Sequence, residues 1–285
     1  MSDLQPIPIL DSHQHFWRFE PERDQWITDE MIVLRREFLP EDLQSNLVST
    51  NVMGTIAVQA DQSELETEFL LHLATYNPFI RGVVGWVDLM HPALPLQLKQ
   101  YQAFPILKGF RHILQSEPPE FMLQSSFVKG LQLLADFGYT YDLLIYPHQL
   151  NDVLQLIQQL PSLRVVVDHL AKPDIKSKMF TGWEEGISKL ATYDHVYCKL
   201  SGMVTEADWN NWKYEDFVPV MNTVVKNFGT SRIMLGSDWP VCLLAASYQD
   251  SIQIARRFFS NYTLQEQEAV FYKNAARFYG IQLLV

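Results

Sequence analysis

Two histidines two residues apart, His13 and His15, a third at His169 and an aspartate at Asp238 each sit at the end of a short apolar run. Their types suit one chemistry: imidazoles polarise an oxygen or hold a divalent ion, and a carboxylate kept ionised takes a proton from water. Residues two apart on a strand project from the same face, so His13 and His15 point together. The run Arg164-Val165-Val166-Val167 leads into Asp168-His169, and Ile233-Met234-Leu235-Gly236-Ser237 leads into Asp238. Alternation sends Asp168 to the face opposite His169, where a hydrogen bond to a loop or helix start behind the sheet is expected. A carboxylate closing an apolar strand needs a partner, since burial alone is too costly, and clustered histidines or a metal provide one. Taken singly, each residue also has an ordinary explanation, as a hydrogen-bonded core histidine or a helix cap.

The elements that must carry these groups are legible as alternating short β-branched runs and longer amphipathic stretches. Strands are expected at Ile7 to Asp11, Gly54 to Ala60, Gly82 to Leu89, Leu107 to Leu114, Tyr141 to Tyr146, Val165 to Leu170, Val196 to Ser201 and Ile233 to Ser237. Helices are expected at Glu64 to Tyr76, Pro95 to Ala103, Phe127 to Phe137, Gln149 to Gln159, Trp183 to Thr192, Phe217 to Phe228, Tyr248 to Asn261 and Leu264 to Tyr279, the last stopping at Gly280. Eight βα units favour a closed (β/α)8 TIM barrel spanning residues 1–285 as a single domain, and no glycine-rich nucleotide loop follows the first strand. In such a barrel the reactive groups come from the C-terminal ends of strands.

Other residues at the same strand ends are candidates for holding a substrate: Arg111, His112, Lys199 and Trp239. Alternation lets only one of Arg111 and His112 point inward. The segment Phe16 to Asn46 is long for a first connection and is expected to cover the pocket as a lid. Trp17 and Trp26 within it could stack on a sugar ring, although packing is the commoner use of tryptophan.

Composition narrows the partners. With a net charge of −11 the chain offers no basic face for a phosphate backbone, so nucleic acid is excluded as an expected partner. Two cysteines, Cys198 and Cys242, fit a reducing compartment, and no apolar run is long enough to span a bilayer. The expectation is a cytoplasmic protein acting on a small molecule with no membrane partner, with assembly into a homo-oligomer left open.

The motifs Asp11-Ser12-His13-Gln14-His15-Phe16-Trp17, Lys108-Gly109-Phe110-Arg111-His112, Val167-Asp168-His169-Leu170-Ala171-Lys172-Pro173, Cys198-Lys199-Leu200-Ser201-Gly202 and Gly236-Ser237-Asp238-Trp239-Pro240 follow one another in order. Together they resemble the amidohydrolase superfamily of metal-dependent-hydrolase barrels. Within it they are similar to the branch of L-fuconolactonases, L-rhamnonolactonases and pyrone dicarboxylate hydrolases, as is the closing Lys273-Asn274-Ala275-Ala276-Arg277-Phe278-Tyr279-Gly280. The resemblance implies lactone hydrolysis in carbohydrate metabolism, with Asp238 as general base and His13, His15 and His169 polarising the carbonyl directly or through one metal ion.

Superfamily members with two metals bridge them with a lysine or acid at the end of the fourth strand. Here that strand ends in Arg111-His112-Ile113. One ion, zinc by the donor set of His13, His15, His169 and Asp238, or none is therefore expected. Two other readings are a metal-dependent decarboxylase of the same superfamily and a non-catalytic barrel that binds a sugar acid.

Overall fold

The computed structural model describes residues 7–283. Eight parallel strands follow one another in chain order in a single sheet. They are β1 (Ile9–Gln14), β2 (Val52–Val58), β3 (Ile80–Gly85), β4 (Leu107–His112), β5 (Thr140–Leu143), β6 (Val165–Val167), β7 (Val196–Leu200) and β8 (Ile233–Leu235). The outer helices are α1 (Pro40–Thr50), α2 (Glu64–Tyr76), α3 (Leu94–Tyr101), α4 (Ser125–Asp136), α5 (Leu150–Gln158), α6 (Trp183–Leu190), α7 (Tyr214–Phe228) and α8 (Tyr248–Phe259). The expected (β/α)8 barrel is present. Strands buried on both faces read as unbroken apolar runs, which is why Val165, Val166 and Val167 stand in sequence.

The helices lay apolar stripes on the strands, and α2 and α8 start at identifiable side-chain caps. The Ser63 hydroxyl accepts from the Glu66 amide to open α2, and Ser247 with Asp250 forms a capping box on α8. The final helix, expected in one piece, is α9 (Leu264–Glu268), a π turn over Ala269–Lys273 and α10 (Asn274–Tyr279). Gly280 ends it at φ +62°, as its type suggests.

Three expectations change. The first strand runs past Asp11 to Gln14, and β2 to β8 stop short of their expected ends, at Val58, Gly85, His112, Leu143, Val167, Leu200 and Leu235. The segment Phe16 to Asn46 is no bare loop: Trp17 pairs with Phe38, a 3-10 stretch covers Asp29–Leu34, and α1 begins at Pro40. Its apolar residues Phe16, Trp17, Ile27, Leu34 and Phe38 are buried in the main core, which fixes the segment in place rather than leaving a free lid.

Closure is made at His13, His15, Asp238 and Trp239. The Asp238 amide donates to the His13 carbonyl at 2.8 Å, and the His15 amide donates to the Trp239 carbonyl at 2.7 Å. Beside this seam the Asp11 carboxylate accepts from the amides of His13 and Ser237 and from the Tyr248 hydroxyl of α8. A register shift between Asp11 and Gln14 lets Asp11 reach that helix although strict alternation would align it with His13.

Near the end of β2, the buried Glu66 carboxylate accepts from the Ala60 amide at 3.0 Å. Burial pushes this carboxyl up to about 7, against the pull of that amide and of Arg23. The folded chain therefore holds a proton there that the unfolded chain releases above about 4.5, so stability falls as pH rises from 4.5 to 7. Glu66→Gln keeps the acceptor for Ala60 and removes the ionisation. The variant is expected to match the wild type near pH 4 and to exceed it by about 3 kcal/mol at pH 8. Thermal unfolding across this range checks it; equal stabilities at pH 8 count against it.

Candidate active site

His13, His15, His169 and Asp238 converge at the seam. His13 Nε2 lies 3.1 Å from His15 Nε2, and the three imidazole Nε2 atoms lie 3.8, 3.5 and 3.8 Å from Asp238 Oδ1 in the order His13, His15, His169. His15, His169 and Asp238 keep about 5 % of their surface exposed, while His13 beneath them has none. Asp238 holds φ +59°, a left-handed backbone that aspartate tolerates better than most residues.

Each imidazole is oriented by its other nitrogen. His15 Nδ1 donates to the Val58 carbonyl at 2.7 Å, which turns its Nε2 towards Asp238. His169 Nδ1 lies 2.8 Å from Ser201 Oγ, and His13 Nδ1 lies 3.3 Å from Asp168 Oδ1. Burial lowers the His169 ring to about 4, and burial together with the nearby Lys199 holds His13 well below the usual histidine range, so both rings are neutral at pH 7. Burial pushes the Asp238 carboxyl up, but its contacts with His169, His15 and His13 outweigh that and hold it well below the usual carboxylate range.

This donor set fits one divalent cation. The candidate ligand atoms of His13, His169 and Asp238 lie within 4.8 Å of one another, and His15 adds a fourth donor. Neutral imidazoles and an ionised carboxylate are the protonation states such an ion needs.

Around His169 the chain takes an unusual path. His169, Leu170, Ala171 and Lys172 have φ of +50, +55, +57 and +50°, one left-handed turn after β6. Left-handed backbone costs roughly 1–2 kcal/mol per non-glycine residue, so surrounding contacts must impose it. Trp183 Nε1 donates to the Leu170 carbonyl at 2.6 Å, and the Lys172 amide donates to the His169 carbonyl at 2.7 Å. Gly202 leaves the needed space: a Cβ there would stand 2.6 Å from His169 Nδ1.

The turn also corrects the reading of Asp168. Because β6 ends at Val167, alternation no longer governs the next residue, and Asp168 turns into the barrel. There it pairs with Arg111 Nη1 at 3.2 Å and Lys199 Nζ at 3.1 Å. Burial raises its carboxyl, but Lys199, His13 and Arg111 prevail and hold it well below the ordinary range.

Of the residues expected to face the mouth, Arg111 is the inward member of its pair. Its Nη1 lies 3.4 Å from His13 Nε2, and Nη2 donates to the Gln59 carbonyl. His112 turns away, 3.0 Å from Glu117 and stacked on Phe121. Lys199 is fully buried below the histidines, between Asp142 and Asp168 and 3.0 Å from His13 Nδ1, rather than open to the mouth. Tyr279 of α10 donates to Asp142 from the far end of the barrel.

Trp17 and Trp239 are buried packing residues: Trp17 Nε1 donates to the Arg36 carbonyl, and both rings meet Phe38 edge-on. Sequence reading missed Asp142, Ser201 and the inward Asp168. Asp142 carried a signal, a lone carboxylate inside the apolar run Tyr141-Asp142-Leu143-Leu144.

Fold and site define a parallel-barrel enzyme with one cluster of three imidazoles and a carboxylate ready for a single divalent metal. Residues 10–281 match the amidohydrolase family, and the chain belongs to it. It is 37% identical to an L-fucono-1,5-lactonase of Burkholderia multivorans over 95% of this chain and 96% of that one. It is 33% identical to an L-fucono-1,5-lactonase of Burkholderia ambifaria over 85% and 83% of the two chains. A crystal structure of an amidohydrolase from Burkholderia multivorans with bound zinc superposes with a TM-score of 0.93, covering 96% of this chain and 100% of that one at 37% identity.

Proposed function

We propose that the protein opens the ring of a sugar lactone by attack of water, with Asp238 as general base. The observation that carries this is the approach of three imidazoles to the same carboxylate oxygen, Oδ1, which leaves the other oxygen for a proton from water. Water gives that proton to Asp238 as its oxygen bonds to the lactone carbonyl carbon. The tetrahedral adduct then breaks its bond to the ring oxygen, and Asp238 returns the proton to the leaving alkoxide. The product is a hydroxy acid. Arg111 sets a positive charge beside His13 at the floor of the cluster, where negative charge grows on the carbonyl oxygen. A divalent ion held by His13, His15, His169 and Asp238, zinc by analogy with the similar crystal structure, would supply Lewis acidity at that oxygen.

The test is a pH-indicator assay over aldonolactones and muconolactones, with and without chelator. Acid release from an aldonolactone is expected, falling on chelation and returning with zinc. Carbon dioxide release from an aromatic acid, or ligand-induced stabilisation without turnover, overturns the reading. The seat of His169 offers a finer check. Gly202→Ala puts a methyl group against Nδ1 at a position of φ +61°, and turnover is expected to fall about a hundredfold, the effect of displacing a reacting group by about 1 Å. Steady-state kinetics with a melting curve decides; normal kcat/KM removes Gly202 from this role.

A further inference from the structure

Arg111 and Lys199, the cations expected to grip a substrate, are committed to Asp168 and Asp142 inside the barrel. A polyhydroxylated ring still needs donors and acceptors at the mouth. One pair on the loops bearing the cluster supplies both. Lys172 ends the left-handed turn that begins at His169, and Glu206 closes the 3-10 turn Val204–Glu206 that follows Ser201, the partner of His169.

Lys172 Nζ and Glu206 Oε1 stand 3.7 Å apart, with 18% and 21% of their side chains exposed. That is longer than the charge-assisted hydrogen bonds of about 2.7–2.9 Å, so neither group is saturated by the other. The ammonium is held 5.2 Å above the Tyr146 ring, and its backbone is fixed by the turn. Burial raises the Glu206 carboxyl against the pull of Lys172, and the charge of Asp238 adds to the rise.

We propose that Lys172 and Glu206 read the ring hydroxyls of the substrate, Lys172 donating to one hydroxyl oxygen and Glu206 accepting from its neighbour. The inference rests on the lactone-hydrolase reading and adds the determinant of selectivity for hydroxylated over deoxygenated rings. A vicinal diol matches one fixed donor beside one fixed acceptor, and a site built to bond a hydroxyl discriminates strongly against the analogue lacking it.

The experiment is a cycle between enzyme and substrate: wild type, Lys172→Met and Glu206→Met, each assayed on an aldono-1,5-lactone and on its monodeoxy analogues. Removing the hydroxyl that Lys172 contacts is expected to cost the wild type about tenfold in kcat/KM and Lys172→Met less than twofold, because the partner is already gone; removing the neighbouring hydroxyl is expected to do the same for the wild type and Glu206→Met. Lys172→Arg is expected to restore part of the preference, which a purely structural role would not. Additive losses for every deoxy analogue in both variants overturn the inference while leaving the lactonase reading intact. A wild type that opens none of these lactones overturns both. Glu206→Met, at a partly exposed position, keeps the test decisive should Lys172→Met unfold.

Discussion

Asp238→Asn is expected to lower kcat/KM for lactone opening by at least about a thousandfold while leaving the barrel folded. General-base catalysis contributes on the order of a hundred- to ten-thousandfold, and asparagine cannot take the proton from water. The fold survives for a backbone reason. Asp238 sits at φ +59°, and asparagine is the residue that best shares aspartate's tolerance of that region. Its amide still donates to the His13 carbonyl, so the seam remains closed. Because His169, His15 and His13 overcome the upward push of burial and keep the Asp238 carboxyl well below the ordinary range, the base is ionised throughout the neutral range. A fall in rate on acidification is therefore expected only as pH drops towards about 4, where the ring of His169 gains its proton. Metal content measured on the variant separates loss of the ion from loss of the base. Retention of even a tenth of wild-type kcat/KM would falsify the role.

The second large effect is on stability. Lys199→Met is expected to cost roughly 3–5 kcal/mol, the penalty for removing one partner of a buried ion network. Lys199, Asp142 and Asp168 are all fully buried, and burial already pushes Asp142 up to about 6 despite the pull of Lys199. Without the ammonium, two neighbouring carboxylates remain in the barrel facing Arg111, Tyr279 and the neutral ring of His13. Lys199→Met with Asp142→Asn is expected to recover part of the loss, since asparagine is uncharged and still accepts from Tyr279. Thermal or denaturant unfolding of both variants decides it. A single variant within 1 kcal/mol of wild type, or a double variant less stable than the single, rejects this account.

The site residues differ in how plainly their sequence announced them. His13, His15, His169 and Asp238 were legible because polar groups at the ends of apolar strands have few other uses, and the strand count placed all four at one end of a barrel. Asp168 was assigned to the wrong face because alternation holds only while the strand lasts, and no glycine announces the left-handed turn that replaces it. Lys199 was legible as an inward group but not in its depth, and the sequence left open which of Arg111 and His112 turns inward: position along a strand sets direction, whereas closure of the sheet sets what lies above and below. Asp142, Ser201 and Tyr279 escaped because their partners lie 57, 32 and 137 residues away in the chain, separations that no local pattern encodes. Within Phe16 to Asn46, the start of α1 at Pro40 was overlooked although proline at a first helical turn is a start signal.

Closing the barrel at His13 and Asp238 also orders events during biosynthesis. A ribosome delivers His13 and His15 early, and Asp238 only after all eight strands have emerged. The hydroxyl of Tyr279, which completes the partners of Asp142, follows later still. For most of its synthesis the nascent chain therefore carries the imidazoles without their carboxylate and the buried acids without their full set of partners. Catalytic competence arrives as a late, all-or-none event, so an active molecule is also one whose first and last strands have met.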